Sequence, residues 1–254
     1  MILILSGEGP CDLGACCNAQ GVCQLEDYRP GPMAILVDEL ISQKLAYSIF
    51  ETTPSAVWYV SEKELAQRAK AKSPRKMTLR GAKGPEVETG YFYLNALMLA
   101  QFAKEKEDEC GDRCSLAVLF RDADGTNSAS SALWQDKHKS MRSGFLRAEY
   151  DHGVAMLPQP KSEAWLLCLA QKPAPAQCAE LEKLPGNDAS PNSAKTQLAK
   201  FFETWPTAIG LVEWIKQQND HFAHLLHLPS YQEFHKQLHD ALDLILSNAK
   251  RQID

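Results

Sequence analysis

Three short runs of consecutive apolar residues stand out along the chain, and each has the length of a buried strand. They cover residues 2–5, 116–120 and 154–157, and a weaker candidate covers residues 56–60. Apolar runs without alternation are typical of parallel strands that are covered on both faces of a sheet. Glycine, proline or charged residues follow each of the three runs within two positions, which is typical of strand ends.

Between the predicted strands, apolar residues recur at the period of an amphipathic helix. Ser61 and Glu64 have the spacing of a capping box that opens a basic helix, and Ser162 is a candidate N-cap further along. Other helices are predicted over residues 33–45, 91–104, 130–144, 163–170, 195–203, 209–218 and 231–249. Residues 172–193, rich in proline and alanine, are predicted to form a loop.

The alternation of strands and helices predicts an α/β protein with a mostly parallel central sheet flanked by helices and with a helical C-terminal part. Residues 1–254 are expected to form a single domain, at the upper end of the usual size. Within it, residues 24–110 are predicted to form a helical and basic insertion between the first two acidic motifs, and residues 195–254 to supply closing helices.

Composition predicts a cytoplasmic protein without a membrane segment. No stretch reaches the roughly 18 consecutive apolar residues that a spanning helix needs. The apolar start lacks a preceding basic residue and is too short for a secretory signal. Disulfides are not expected in such a compartment, so the eight cysteines are expected to be free and mostly buried. The cysteines show no paired Cys-x2-Cys spacing, which argues against a structural zinc ion.

The net charge of −5 argues against a protein that coats nucleic acid without regard to sequence, although local fields matter more than the sum. A basic stretch between residues 62 and 83 is a candidate phosphate-backbone contact, and a solvated helix with a loop explains it equally well. The candidate nucleic-acid contacts are Arg75, Lys76, Arg80, Lys83 and Arg121.

Acidic residues follow the three best predicted strands. Glu8 follows the first, Asp122 and Asp124 follow the second, and Glu163 follows the third. Because ligands of parallel sheets bind at the carboxyl ends of the strands, these acids are expected at one edge. Such carboxylates repel one another unless a cation lies among them, and their oxygen ligands suit Mg²⁺ or Mn²⁺. Two such ions are able to clamp a phosphodiester.

The order of these acids resembles the TOPRIM domain, a Rossmann-like fold in topoisomerases, primases and OLD (overcoming lysogenization defect) nucleases. That pattern is a strand followed by Glu-Gly, here Glu8-Gly9, and a later strand followed by Asp-x-Asp, here residues 122–124. The OLD-type branch adds a second acid four positions after the first, where Asp12 stands. It also adds an acid after the next strand, matched by Glu163, and a late lysine, matched by Lys195.

Gly-Glu-Gly-Pro-x-Asp at residues 7–12 and Glu-Ala-Trp-Leu at residues 163–166 also resemble small uncharacterised bacterial TOPRIM-like proteins. The resemblance implies a nuclease with two Mg²⁺ or Mn²⁺ ions, with DNA favoured over RNA as the substrate. It further implies a partner ATPase and a role in phage defence, and it leaves a homo-oligomer open. The implied residues are Glu8, Asp122, Asp124 and Lys195 in catalysis, and Glu8, Asp12, Asp122, Asp124 and Glu163 at the metal.

Two other functions fit parts of the sequence. The motif Asp-Ala-Asp-Gly-Thr at residues 122–126 also resembles haloacid-dehalogenase-type phosphatases, whose first aspartate is a nucleophile. That interpretation leaves Glu8 and Asp12 without a role, and no later predicted strand ends in the second acid pair that such enzymes need. A non-catalytic TOPRIM-like module that binds a partner is the third possibility, and it does not require five retained carboxylates.

Histidines near the C-terminal end also have spacings that place side chains on one helix face. They are His221, His224, His227, His235 and His239. No His-Glu-x-x-His arrangement is present, and Pro229 is expected to interrupt the helix, so a polar helix face is favoured over a metal site.

Overall fold

The computed structural model describes residues 1–18, 20–72, 85–111, 114–123, 131–202 and 205–251. Its strands are β1 (Ile2–Ser6), β2 (Gly14–Cys16), β3 (Val22–Gln24), β4 (Tyr28–Pro30), β5 (Val57–Val60), β6 (Ser115–Phe120) and β7 (Gly153–Met156). The four predicted strands correspond to β1, β5, β6 and β7, with ends that differ by one residue. The three short strands β2, β3 and β4 were not predicted, because three residues are too few for a periodic pattern.

Five strands form the central sheet in the order β3-β5-β1-β6-β7. The pairs β1–β5, β1–β6 and β6–β7 are parallel, and only the edge strand β3 is antiparallel to its neighbour β5. In register, Leu5 of β1 lies between Tyr59 of β5 and Val118 of β6. Strands β2 and β4 pair separately as a small antiparallel ribbon. The mostly parallel α/β sheet is therefore confirmed.

The helices lie on both faces of the sheet. They are α1 (Pro32–Leu45), α2 (Ile49–Thr52), α3 (Glu62–Lys72), α4 (Pro85–Glu109), α5 (Ser131–Arg147), α6 (Ser162–Gln171), α7 (Pro175–Leu181), α8 (Ala194–Phe201), α9 (Ala208–Lys216) and α10 (Pro229–Arg251). The last three confirm the predicted helical C-terminal part. Before α10, residues Asn219–His227 form a 3₁₀-helix, and the break at Pro229 agrees with the prediction.

Successive side chains of β1 point to opposite faces of the sheet and therefore pack in two separate hydrophobic cores. Leu3 and Leu5 pack in the core with α1, α6 and the C-terminal helices. Ile2 and Ile4 pack in the core with α3, α4 and α5. Because both faces are covered, the strands are apolar without interruption, and this explains why they were recognisable in the sequence.

Three local predictions were wrong or incomplete. Residues 172–193 are not only a loop, because Pro175 opens helix α7, where its missing N–H is not needed, and Cys178 and Leu181 are buried. Ser162 is the first residue of α6 and not its cap, which is Lys161. The predicted helix at residues 91–104 belongs to a longer α4 that includes the charged run after it. The strand predicted at residues 56–60, within the segment 24–110, is β5 and lies beside the central strand β1.

The expectation of free and mostly buried cysteines was wrong in part. Cys16 at the end of β2 and Cys23 in β3 form a disulfide across the turn that joins these strands. The expectation followed from the compartment alone, whereas the fold places the side chains of Cys16 and Cys23 next to each other. Of the six other cysteines, only Cys168 and Cys178 are buried. Within the described residues, no helix has both the length and the apolar character that crossing a membrane requires.

Candidate functional site

The candidate site lies where the strand order of the sheet reverses. The chain passes from β1 to β5 on one side and then returns to β6 on the other side of β1. The loops that follow β1 and β6 therefore leave the sheet next to each other, and such a crevice is where open parallel sheets bind ligands. Glu8 follows β1 and Asp122 follows β6.

Glu8 and Asp122 are in direct contact. The backbone N–H of Asp122 donates a hydrogen bond to Oε1 of Glu8, with an N···O distance of 2.8 Å. Glu8 itself has an extended backbone. Gly9, which follows it, has a φ of +76°, a conformation that glycine adopts without strain. The sharp turn at Gly9 therefore allows the Glu8 side chain to stay at the end of β6.

Asp12 belongs to the single π-helical turn Gly9–Leu13 that follows Glu8. The end of the β2–β4 ribbon supports this turn, because the N–H of Gly31 donates to the carbonyl oxygen of Leu13 at 2.9 Å. A Cβ atom at Gly31 would lie 2.3 Å from the carbonyl oxygen of Asp12, so only glycine fits there. The ribbon therefore fixes the backbone that carries Asp12.

Ser162 connects the two aspartates. Its backbone N–H, in the first turn of α6, donates to Oδ1 of Asp122 at 3.1 Å. Its hydroxyl donates a short hydrogen bond to Oδ1 of Asp12. The N–H groups of a first helical turn have no partner within the helix and favour negative charge. Ser162 thus holds Oδ1 of each aspartate.

The loop between β7 and α6 carries Ser162 to this position. The N–H of Arg121 donates to the carbonyl oxygen of Met156 at 3.0 Å. The backbone nitrogen of Ala123 lies 3.2 Å from the carbonyl oxygens of both Pro158 and Pro160. These contacts continue the β6–β7 pairing beyond the strands. They bring the start of α6, with Ser162 and Glu163, to the end of β6.

Glu163 adds a fourth carboxylate, and two lysines accompany it. Asp188 accepts hydrogen bonds from Nζ of Lys161 at 2.8 Å and from Nζ of Lys195 at 2.9 Å. Burial raises the pKa of Glu163, while its own backbone N–H and the positive charges of Lys195 and Lys161 lower it. The hydrogen bond to Asp188 and the charge of Glu163 raise the pKa of Lys195, which stays protonated.

The acids perturb one another strongly. Burial raises the pKa of Asp12 to about 6, and the charges of Glu163 and Glu8 add to this rise against the hydrogen bond from Ser162. Burial also raises the pKa of Asp122 well above its usual range, with further contributions from Asp12, Glu163 and Glu8. A cation among these groups would remove the repulsion that favours their protonated forms.

The donor set fits a hard divalent cation. Glu8, Asp12, Asp122 and Glu163 offer only carboxylate oxygens, and all four side chains are half-buried, so water has access to them. Mg²⁺ and Mn²⁺ prefer such oxygens and retain several waters. Among the described residues, however, no three of these carboxylates place an oxygen atom within 4.8 Å of one another, so the Mg²⁺ or Mn²⁺ site expected from the strand ends stays a prediction.

Some predicted site residues lie elsewhere or outside the described residues. Asp124 falls outside them, as do the predicted nucleic-acid contacts Arg75, Lys76, Arg80 and Lys83. Arg121 is 1% exposed, and its Nη1 donates to the carbonyl oxygen of Phe120. Its guanidinium lies 5.7 Å from the ring centre of Tyr91, so it is a buried group and not a surface cation.

Some of the basic side chains of helix α3 form ion pairs with acidic residues of the same protein. Arg68 donates to Glu64 on α3 at 3.0 Å and to Glu105 on α4 at 2.6 Å. Lys72 lies 3.8 Å from the same Glu105. Two of its basic residues therefore connect α3 to α4, which favours the interpretation of α3 as a solvated packing helix.

The prediction missed three residues of the site: Ser162 as a hydrogen-bond donor, Lys161 and Asp188. The sequence predicts Ser162 as a helix cap, although its position beside Glu163 after a strand also indicates a site residue. Asp188 lies in the Pro-rich segment 172–193, where nothing in the local pattern connects it to Lys161 or Lys195. Only the folded chain brings these three groups together.

Comparison of the chain with protein-family models, with curated proteins and with solved structures found no match. The TOPRIM resemblance is therefore a hypothesis that depends on the motifs and on the geometry of the site.

Proposed function

We propose that this chain is a divalent-metal-dependent nuclease of TOPRIM-like type, which hydrolyses phosphodiester bonds of nucleic acid, with DNA as the preferred substrate. The observation that carries this proposal is the convergence of Glu8, Asp12, Asp122 and Glu163 at the switch point of a parallel sheet. The four acids come from three separate segments. A bound cation would relieve their mutual repulsion, and their oxygens are of the type that Mg²⁺ and Mn²⁺ prefer.

The chemistry that Mg²⁺ supplies when bound is polarisation of the phosphoryl oxygens and a lower pKa of the attacking water. Within the protein, Glu8 and Asp122 hold the ends of β1 and β6 together through their hydrogen bond. Ser162 orients Asp12 and Asp122 by taking one oxygen of each. These contacts preorganise the carboxylates, so less reorganisation is needed when a cation and a phosphate bind.

Lys195 and Lys161 supply positive charge beside the acids. Both donate to Asp188, which fixes their ammonium groups near Glu163. We assign Lys195 to stabilising the negative charge that develops on the phosphate in the transition state. Asp188 is a positioning residue, because it acts through the two lysines.

The geometry favours this function over the phosphatase. A haloacid-dehalogenase-type mechanism employs Asp122 and Asp124 but gives no task to Glu8 or Asp12. Here the Glu8 side chain bonds to the backbone of Asp122, and Asp12 shares Ser162 with it. A partner ATPase and a role in phage defence follow from the TOPRIM resemblance alone.

The decisive experiment is a plasmid-nicking assay with the purified chain and Mg²⁺ or Mn²⁺. Supercoiled DNA is expected to be nicked or linearised, and the chelator EDTA is expected to stop the reaction. Asp122→Ala is expected to abolish cutting. Asp136→Ala, purified in the same way, is the matched control, because Asp136 is exposed on α5 and outside the cluster.

Three outcomes contradict the proposal. Intact plasmid and intact RNA with both metals would exclude a nuclease. Equal cutting by wild type and Asp122→Ala would point to a contaminating enzyme. Release of phosphate from p-nitrophenyl phosphate without cutting of nucleic acid would favour the phosphatase.

A further inference from the structure

A second cluster of ligand side chains lies away from the acids, where α6, α7 and the 3₁₀-helix Asn219–His227 meet. Cys168 belongs to α6, Cys178 to α7 and His224 to the 3₁₀-helix. One ligand atom from each of the three lies within 4.8 Å of the other two. Both thiols are fully buried and His224 is partly buried, so the cluster is enclosed on the sulfur side and reachable from the imidazole side.

The two thiols are too close for an ordinary nonbonded contact. Their sulfur atoms are 2.8 Å apart, which is inside the repulsive range for two sulfurs. Two thiols relieve this contact either by oxidation to a disulfide, in which an external oxidant takes two electrons and two protons are lost, or by losing their protons and separating around a shared cation. Zinc–sulfur bonds of about 2.3 Å in tetrahedral geometry require the sulfurs to separate by roughly 1 Å more.

His224 favours the cation over the disulfide. Its Nε2 lies 2.8 Å from the carbonyl oxygen of Pro173. If Nε2–H donates to this carbonyl, the tautomer is fixed and Nδ1 keeps its lone pair for a metal. Zinc-binding histidines usually donate their other N–H to such a carbonyl group. A disulfide between Cys168 and Cys178 would have no use for this imidazole.

We infer that Cys168, Cys178 and His224 bind one soft divalent cation, with Zn²⁺ as the best fit, at a site separate from the acidic cluster. Thiolates and imidazole select zinc, whereas carboxylates select Mg²⁺. Binding forms two S–Zn bonds and one N–Zn bond and releases the two thiol protons to solvent. A water molecule completes the tetrahedron.

With three protein ligands and one position for water, the site differs from a closed structural zinc site, but its position would let the ion link three helical segments. Helix α6 carries Ser162 and Glu163 in its first turn and Cys168 in its second half. Zinc bound to Cys168 would attach this helix to α7 and to the 3₁₀-helix. The site is expected to stabilise the fold and, through α6, the position of Ser162. This inference does not depend on nuclease activity.

The test is metal binding by the intact chain. Protein that is prepared under reducing conditions and stripped with EDTA is titrated with Zn²⁺ and, separately, with Co²⁺. We expect one tightly bound zinc per chain, measured by elemental analysis after gel filtration, and a thiolate-to-cobalt charge-transfer band in the near ultraviolet. Cys168→Ser, Cys178→Ser and His224→Gln are each expected to lower the zinc affinity at least tenfold.

Two controls separate this site from others. Cys110→Ser removes an exposed thiol and is expected to keep full zinc binding. Glu8→Gln changes the acidic cluster and is also expected to keep it. Because a serine variant is able to fail by unfolding, the wild-type cobalt spectrum supplies an independent readout of thiolate ligation.

Two results would overturn the inference. One is reduced wild-type protein that folds but binds no zinc and shows no charge-transfer band. The other is protein purified without reductant and without metal that has four titratable thiols after denaturation. Cys16–Cys23 alone leaves six thiols. Four would mean that Cys168 and Cys178 form a disulfide.

Discussion

The carboxylate of Glu8 accepts a 2.8 Å hydrogen bond from the backbone N–H of Asp122, a residue 114 positions later in the chain. The contact exists because β1 and β6 are parallel neighbours, with Ser6 in register with Leu119. It makes Glu8 a structural partner of the β6 end as well as a candidate ligand. A substitution that tests Glu8 as a metal ligand must therefore leave its hydrogen bond to Asp122 in place.

Glu8→Gln separates them, because the amide keeps a carbonyl acceptor for the Asp122 N–H but loses the charge. We expect metal-dependent cutting to fall by about 100-fold or more, since a direct metal ligand contributes at least as much as the groups that hydrogen-bond to such a ligand. The melting temperature is expected to change by only a few degrees. Nicking assays and thermal unfolding measure the two effects, with Glu26→Gln at an exposed position as the control. Full activity of Glu8→Gln would remove Glu8 from the site.

Ser162→Ala tests the bridge between the two aspartates. The variant keeps the backbone N–H that bonds Asp122 and loses only the hydroxyl that bonds Asp12. We expect the Mg²⁺ concentration for half-maximal activity to rise about tenfold, because groups that orient metal ligands typically contribute 10–100-fold in affinity. Ser247→Ala is the control, since its hydroxyl donates to the carbonyl oxygen of Leu244 within α10. An unchanged Mg²⁺ requirement would show that the bridge has no part in metal binding.

The sequence predicted the sheet and its acidic edge because local patterns encode both. Uninterrupted apolar runs revealed β1, β6 and β7. Glu8 and Asp122 follow β1 and β6 closely, and Glu163 lies in the helix that follows β7. The prediction did not reach Ser162 or Asp188, because their importance comes from contacts between residues far apart in the chain. Ser162 and Asp12 are separated by 150 positions, and no local period reports such a contact.

The cysteines illustrate the same limit. Spacing arguments compare residues that are near in sequence, and they found no zinc motif. Cys168 and Cys178 are joined to His224 by the packing of α6 and α7 against a 3₁₀-helix. The pairing of Cys16 with Cys23 likewise depends on the placement of β2 and β3, two strands that are too short to be recognised from their pattern.

The raised pKa of Asp12 predicts how the metal-free protein responds to pH. Its folded pKa of about 6 lies above the ordinary value of 3.8, so the folded state binds the proton more tightly than the unfolded chain. The stabilisation that protonated Asp12 gives to the fold is therefore complete below pH 3.8 and is lost as the pH rises through about 6. At neutral pH, Asp12 therefore destabilises the metal-free fold, by on the order of 1–3 kcal/mol.

Asp12→Asn is accordingly expected to be more stable than wild type at pH 7.5 in EDTA, with little difference at pH 4. Denaturant unfolding at both pH values measures this, and the difference between variants cancels the other titrating groups. Addition of Mg²⁺ at pH 7.5 is expected to stabilise wild type and to have a weaker effect on Asp12→Asn. Asp136→Asn on exposed α5 is the control. A difference between wild type and Asp12→Asn that is independent of pH would contradict the assigned pKa.

Trp165 connects α6 to α10 and thereby supports the helix that carries Ser162. It is fully buried, and its indole N–H donates to Oγ of Ser230 at 2.9 Å, which in turn donates to the buried Glu182 at 2.6 Å. Trp165→Phe removes this hydrogen bond and leaves a small cavity, so we expect a loss of about 1–3 kcal/mol in unfolding free energy. Trp205→Phe, at a position 40% exposed, is expected to be close to neutral. Equal stability of the two variants would mean that the contact contributes nothing to the fold.

Substitution of Lys195 tests whether its charge acts in catalysis or only in a surface ion pair. Its Nζ is 2.9 Å from Oδ2 of Asp188, and the side chain is 43% exposed, so the pair contributes little to stability. If Lys195 stabilises the transition state, Lys195→Ala is expected to lower kcat by 10–100-fold, with a small change in KM and in melting temperature. Lys195→Arg restores the charge but not the reach of a compact ammonium group, and it is expected to recover only part of the rate. Lys200→Ala, an exposed lysine on the same helix, is the control for a general loss of positive charge. Because a loss of DNA affinity alone would raise KM and leave kcat intact, that result would assign Lys195 to substrate binding and not to catalysis.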